Sequence, residues 1–277
     1  PFMDRPSICI IGMGAMGTAL LAGLTRAGWS SESLTLVVRR ADQAKHLQET
    51  TGCRCTLNPV EGADGADVVV LAVKPRDVPN VLEDLAGHLG ERQVVLSLAA
   101  GVSTATIEAK LVGVPVVRAM PNTPALVGES ISGVAGGAHA DEGATALAER
   151  VLSAVGQVLR MEESLLDAVT AVSGTGPAYA FLLAEALTEA ALREGIPHYL
   201  AQQLVHHTLR GAASLLIETG KSPFELRAQV TSPGGTTAAA MHVLEERGFR
   251  ALIEDAVRAA AARSREMGQK AVKEPGS

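Results

Sequence analysis

Residues 7–11 (SICII) form a short apolar run that stops at Gly12. From residue 15 to residue 27 apolar positions recur at helical spacing, and Gly28 closes the segment. Residues 34–38 read as a second strand and residues 42–50 as a polar helix. Three further apolar runs follow, at residues 66–75 (ADVVVLAVKP), 92–101 (RQVVLSLAAG) and 114–122 (VPVVRAMPN), with segments of helix length between them. Strands covered on both faces read as unbroken Val/Ile/Leu runs, as these do. Strand and helix repeating in this form predict an α/β domain with a doubly wound, parallel sheet.

The pattern changes after about residue 162. Residues 179–195, 198–220 and 249–268 read as long alanine-rich helices with almost no strand signal between them. They are too apolar to lie wholly in solvent. An all-α C-terminal domain is therefore expected, with apolar surface left to meet another subunit. The expected domains are residues 3–162 and 163–277, and residues 270–277 (KAVKEPGS) are expected to fray.

Bulk composition narrows the function. Hydrophobic residues make up 47% of the 277 and aromatic residues only 3%, so the core must be built from Ala, Val, Leu and Ile. A net charge of -6 without a long run of one sign argues against a general nucleic-acid or anionic-membrane binder. No apolar stretch reaches the ~20 residues needed to span a bilayer. The N-terminus lacks the basic start and apolar core of a secretion signal. Cys9, Cys53 and Cys55 have no metal-ligand spacing and read as structural residues of a reducing compartment, so a cytoplasmic protein without a metal is expected.

The segment IIGMGAMG places Gly12, Gly14 and Gly17 in a G-x-G-x-x-G pattern between a strand and a helix. The first glycine allows the tight turn, the second lets a diphosphate approach the backbone, and the third lets helix and strand pack closely. Free N–H groups at the helix start then face the phosphates. This makes the sheet a Rossmann-type, dinucleotide-binding domain. An NAD site usually has a carboxylate at the end of the second strand to hold the ribose hydroxyls. Here that strand runs into Arg39 and Arg40, whose guanidiniums suit a 2′-phosphate. NADP(H) is favoured, with NAD(H) as the alternative. Lys74 closes another strand at the edge where ligands gather, as a cofactor contact or an ordinary strand terminus, and Ala99 and Ala100 either leave room for a flat ring or are packing residues. Asn122 and Thr123, bracketed by prolines, read either as a ligand wall or as a rigid connection.

Residues 230–248 (VTSPGGTTAAAMHVLEERG) pose a different question. Pro233, Gly234 and Gly235 break the chain before a helix that starts near Thr236. A plain N-cap explains the break but not two glycines beside two hydroxyls. Glycines at a helix start expose backbone N–H groups to an anion.

Taken together, IIGMGAMG, LAVKP, RAMPNTPALVGES, VSGTGPAYAF and above all VTSPGGTTAAAMHVLEERGFRALIEDAV resemble the pyrroline-5-carboxylate reductase family over nearly the whole chain. The resemblance implies NADPH- or NADH-dependent reduction of Δ1-pyrroline-5-carboxylate to L-proline, the last step of proline biosynthesis. It implies a helical C-terminal domain that interlocks two subunits, with dimers assembling into a decamer. It places the cofactor on Ile11, Gly12, Met13, Gly14, Ala15, Met16, Gly17, Arg39, Arg40, Asn58, Ala72, Val73 and Lys74, beside the Ala99 position read above. Glu163 aligns with an acidic residue near the substrate, and Gln229 stands where some relatives have an asparagine. Gly234, Gly235, Thr236 and Thr237 match the substrate-binding region, with the Thr237 hydroxyl as the catalytic contact to the ring nitrogen. Two alternatives are a reductase of a related cyclic imine and a non-enzymatic NADP-binding protein. A β-hydroxy-acid dehydrogenase would want a lysine on a second-domain helix, and residues 179–216 contain none.

Overall fold

The computed structural model describes residues 5–273. Its sheet has eight strands: β1 (Ile8–Ile11), β2 (Leu34–Val37), β3 (Arg54–Thr56), β4 (Val68–Leu71), β5 (Val94–Ser97), β6 (Val116–Met120), β7 (Ser130–Gly136) and β8 (Gly156–Arg160). The spatial order is β3-β2-β1-β4-β5-β6-β7-β8. Every pair from β3 to β6 is parallel; β7 runs antiparallel to β6, and β8 parallel to β7. The strand order reverses direction beside β1, which opens a crevice at the C-terminal ends of β1 and β4.

Helices α1 (Ala15–Arg26), α2 (Ala41–Thr51), α3 (Pro59–Ala63), α4 (Val78–Leu85), α5 (Thr104–Glu108), α6 (Glu142–Leu152) and α7 (Leu166–Val169) connect and follow the strands. Alternation along each strand feeds two apolar layers. Ile8, Ile10, Val68 and Val70 pack with Leu20 and Leu24 of α1 and Val151 of α6. Cys9, Ile11, Val69 and Leu71 pack with Leu82 and Leu85 of α4 and Ile107 of α5. A sheet covered on both faces, as the unbroken apolar runs predict, is what forms.

The chain divides into two compact units, residues 1–175 with 259–277, and residues 176–258. The second unit contains α8 (Gly176–Arg193), α9 (His198–Thr219), α10 (Pro223–Gln229), α11 (Thr236–Glu246) and the start of α12 (Phe249–Lys273). It is all-helical, as expected. Proline at the first position and a reciprocal Ser222–Glu225 capping box start α10. Within this unit Ala201 and Val205 are buried, while Phe181, Ile217 and Leu252 are 68%, 80% and 65% exposed.

The division by contacts falls after Thr175, and the end of α12 belongs to the first unit. The cause is a polar network on β6. Arg118 is buried, with Nη1 3.2 Å from Glu163 Oε1 and Nη2 3.7 Å from Asp167 Oδ1. Glu163 also accepts from Thr104 N at 2.8 Å and from Thr104 Oγ1 at 2.6 Å. Ser264 of α12 donates to Asp167 Oδ1 at 2.7 Å. Gly268 packs backbone to backbone on Gly101, where an added side-chain carbon would sit 2.2 Å from the Gly101 carbonyl oxygen.

The tail expected to fray is helical through Lys273, and residues 274–277 lie outside the described residues. The three cysteines are free thiols, and burial pushes that of Cys9 up to about 12. No helix among the described residues is long and apolar enough to cross a membrane. Among the same residues no group of three or more His, Cys, Asp or Glu side chains is placed to hold a metal ion.

Candidate active site

The loop from β1 to α1 turns as its glycines require. Gly12 has φ +100°, a conformation that side chains rarely tolerate, and its N–H donates to Val37 O at 3.0 Å. An added carbon on Gly12 would lie 2.8 Å from Val73 Cγ1 and 2.9 Å from Ala72 O. A carbon on Gly17 would lie 2.1 Å from Gly12 O, so this glycine lets α1 rest directly on the loop. Gly14 differs, because nothing lies within 4 Å of a carbon built there. Its space is open to a ligand. Gly14 is also the N-cap of α1 and supplies no side-chain cap, so the N–H groups of Ala15, Met16 and Gly17 are left for an external acceptor.

A cleft of about 460 Å³ opens in front of this loop. Of the residues expected to meet a cofactor, Ile11, Gly12, Met13, Gly14, Arg39, Arg40, Ala72, Val73 and Lys74 all line it. Ala15, Met16 and Gly17 form the first turn of α1 behind the loop. The cleft also has walls that the sequence reading did not single out, among them Gln43, Asp77 and Asp84. Gln43 Nε2 donates to Met13 O at 3.4 Å and ties α2 to the glycine loop. Arg39 and Arg40 are largely exposed at the rim, Arg39 with Nη1 3.5 Å from Asp77 Oδ1 and Arg40 with Nε 3.7 Å from Asp42 Oδ1.

Three residues of the expected site are not part of the lining of this cleft. Asn58 does not line the cleft, although Leu57 and Pro59 do. Its Oδ1 accepts from Val60 N at 2.9 Å and Glu61 N at 3.4 Å, capping α3. Ala99 is buried at 2% exposure in the apolar layer that holds Ile11 and Leu71. Glu163 has both carboxylate oxygens occupied by Thr104 and Arg118, so it braces the sheet. The Asn122 loop is likewise a rigid connection. Asn122 Oδ1 accepts from Ser130 Oγ at 3.0 Å and Ile131 N at 3.2 Å, and Nδ2 donates to Ser173 O at 3.1 Å.

In the second unit, Gly235 is the N-cap of α11, with φ −82° and ψ 175°, and provides no side-chain cap. The first helical bond runs from Ala239 N to Gly235 O, which leaves the N–H groups of Thr236, Thr237 and Ala238 without intrahelical acceptors. Gly234 has φ +69°, and a carbon built on it meets nothing within 4 Å. Thr237 is half-buried in the first turn. Gly235 caps the helix by its backbone alone, with no side-chain cap bond. By contrast, α3, α5, α6 and α10 are capped by Asn58, Ser103, Asp141 and Ser222. Helices α1 and α11 thus share an open, glycine-fronted start suited to an anion.

Residues 163–267 match a family model described as pyrroline-5-carboxylate reductase dimerisation. Residues 7–101 match one described as NADP oxidoreductase coenzyme F420-dependent. A pyrroline-5-carboxylate reductase of Corynebacterium melassecola is 43% identical over 267 residues, spanning 95% of this chain and 99% of its own. The chain belongs to the pyrroline-5-carboxylate reductase family. Its relative in Synechocystis is 41% identical, covering 94% of this chain and 98% of that protein. The solved pyrroline-5-carboxylate reductase of Coxiella burnetii matches with a TM-score of 0.89 at 39% identity, over 95% of this chain and 99% of that one. The Plasmodium falciparum pyrroline carboxylate reductase, solved with NADP bound, matches with a TM-score of 0.86 at 28% identity, over 96% and 99%. The reductase family therefore accounts for both units, and the exposed apolar residues of the second lie within its dimerisation segment.

Proposed function

We propose that this protein is an oxidoreductase that reduces Δ1-pyrroline-5-carboxylate to L-proline with NADPH. The observation that carries the reading is the pair of uncapped, glycine-fronted helix starts, one in each unit of a chain of this family. The residues around the first start fit a phosphorylated dinucleotide: Gly14 leaves open space, α1 presents free N–H groups, and two guanidiniums stand at the rim. When bound, NADPH supplies the hydride.

The chain's own residues bind and align. The N–H groups of Ala15, Met16 and Gly17 hold the diphosphate, and Arg39 and Arg40 hold the 2′-phosphate. The N–H groups of Thr236, Thr237 and Ala238 hold the substrate carboxylate, helped by the dipole of α11, worth about 0.3–1 kcal/mol. Thr237 Oγ1 hydrogen-bonds the ring nitrogen; the neighbouring carbon gains the hydride and the nitrogen takes its proton from water. Alignment of the two reacting carbons then supplies most of the acceleration. Glu163, held by Thr104 and Arg118, is left out of these contacts.

Absorbance of NADPH tests the reading. Addition of pyrroline-5-carboxylate is expected to consume NADPH with one proline formed per hydride. A flat trace with active substrate would contradict it. Thr237→Ala is expected to lower kcat roughly 10- to 100-fold, the loss of one hydrogen bond to a charged centre, while the Kd for NADPH stays within about twofold. Replacing Arg39 and Arg40 by a carboxylate-bearing pair is expected to lower the NADPH/NADH ratio of kcat/KM roughly 10- to 100-fold. An unchanged ratio would remove the arginines from cofactor choice. The assembly we propose is a cytoplasmic decamer of five dimers, to be checked by mass photometry.

A further inference from the structure

The end of β2 lacks the carboxylate that usually opposes a 2′-phosphate, yet the fold brings one to the same place from another strand. Asp77 closes the 3-10 turn Pro75–Asp77, directly after Lys74 at the end of β4. Its carboxylate lies 3.5 Å from Arg39 Nη1 and 3.9 Å from Arg76 Nε. Its side chain is 22% exposed, against 81% for that of Arg39, and both residues line the cleft in front of the glycine loop.

The position has no other visible task. Asp77 precedes α4, but its side chain makes no cap bond to that helix. A structural aspartate at a helix start would ordinarily make one. Asp42, the partner of Arg40, is 74% exposed on α2 and does not line the cleft. Among the two carboxylates paired with the rim arginines, only Asp77 therefore faces a ligand held there.

We propose that Asp77 is a specificity-determining residue that restrains the preference for a 2′-phosphorylated cofactor. It acts in two ways. A phosphate that takes Arg39 must compete with Asp77 for the guanidinium. Once bound, that phosphate would share the guanidinium with Asp77, a like charge. A nucleotide without the 2′-phosphate meets neither obstacle. Cofactor choice is then a balance between Arg39 and Arg40 on one side and Asp77 on the other, and NAD(H) remains usable because of Asp77.

The inference rests on the cleft being the nucleotide site, and the test separates the two. Wild-type protein and Asp77→Asn are titrated calorimetrically with 2′,5′-ADP and with 5′-ADP. Asparagine keeps the shape and removes the charge. The Kd for 2′,5′-ADP is expected to fall about 3- to 10-fold in the variant at moderate salt, while that for 5′-ADP stays within about twofold. Equal affinities in both proteins would overturn the proposal and make Asp77 a bystander. Weaker 2′,5′-ADP binding in Asp77→Asn would also overturn it, since Asp77 would then be holding Arg39 ready for the phosphate. Failure of both ligands to bind wild-type protein would overturn the nucleotide reading itself, and the proposal with it.

Discussion

A Gly17→Ala variant is expected to weaken NADPH binding roughly 100-fold and to lose about 1–3 kcal/mol of stability. The new carbon would lie 2.1 Å from Gly12 O and 3.1 Å from Gly12 C. Gly12 cannot yield inward, because its own surroundings leave 2.8 Å to Val73 Cγ1 and 2.9 Å to Ala72 O for any carbon there. The start of α1 must therefore retreat from the loop, taking the N–H groups of residues 15–17 with it. Gly14→Ala is the control. Its carbon enters open space, so the fold should stand and the loss should fall on the ligand alone. Fluorescence titration with NADPH and urea midpoints separate the two. Wild-type affinity in Gly17→Ala would mean that α1 does not hold the diphosphate.

Arg118→Ala is expected to cost about 3 kcal/mol, the lower end for breaking a buried ion pair because its carboxylate partners are part-exposed. Arg118 is 5% exposed and faces two carboxylates, Glu163 at 3.2 Å and Asp167 at 3.7 Å. Removing it leaves these like charges close together and part-buried, with Thr104 and Ser264 as donors. The damage should spread, since the same network joins β6, α5, α7 and the end of α12. At fixed protein concentration the thermal midpoint is expected to fall by roughly 6–12 °C. Glu163→Gln, which keeps the shape and can still bond Thr104 Oγ1, should cost less. A midpoint unchanged in Arg118→Ala would show that the network does not brace the first unit.

What could be read in advance was what local geometry dictates. The glycine loop is one such case, because Gly12 and Gly17 are each required by a contact within the loop or with the adjoining strand. The apolar runs that became β1, β4 and β5 are another, because burial on both faces forces their composition. β7 and β8 were missed for the opposite reason. Ser130–Gly136 (SISGVAG) is small and polar in sequence, and Ser130 and Ser132 are buried only because neighbouring elements cover them. The bracing by Glu163 was not legible because its partners lie far along the chain, 59 residues away at Thr104 and 45 at Arg118. Asn58 carried a second readable signal: asparagine before proline is a helix start, and it caps α3. Asp77 carried none, since only the fold sets the turn after β4 beside the end of β2.

The most direct test is a crystal structure of the protein with NADP⁺ and L-proline bound together. The expected result has the proline carboxylate accepting from backbone N–H groups of residues 236–238 at about 2.7–3.2 Å, with the diphosphate on those of residues 15–17. Proline seated elsewhere, with the start of α11 facing only solvent, would contradict the account.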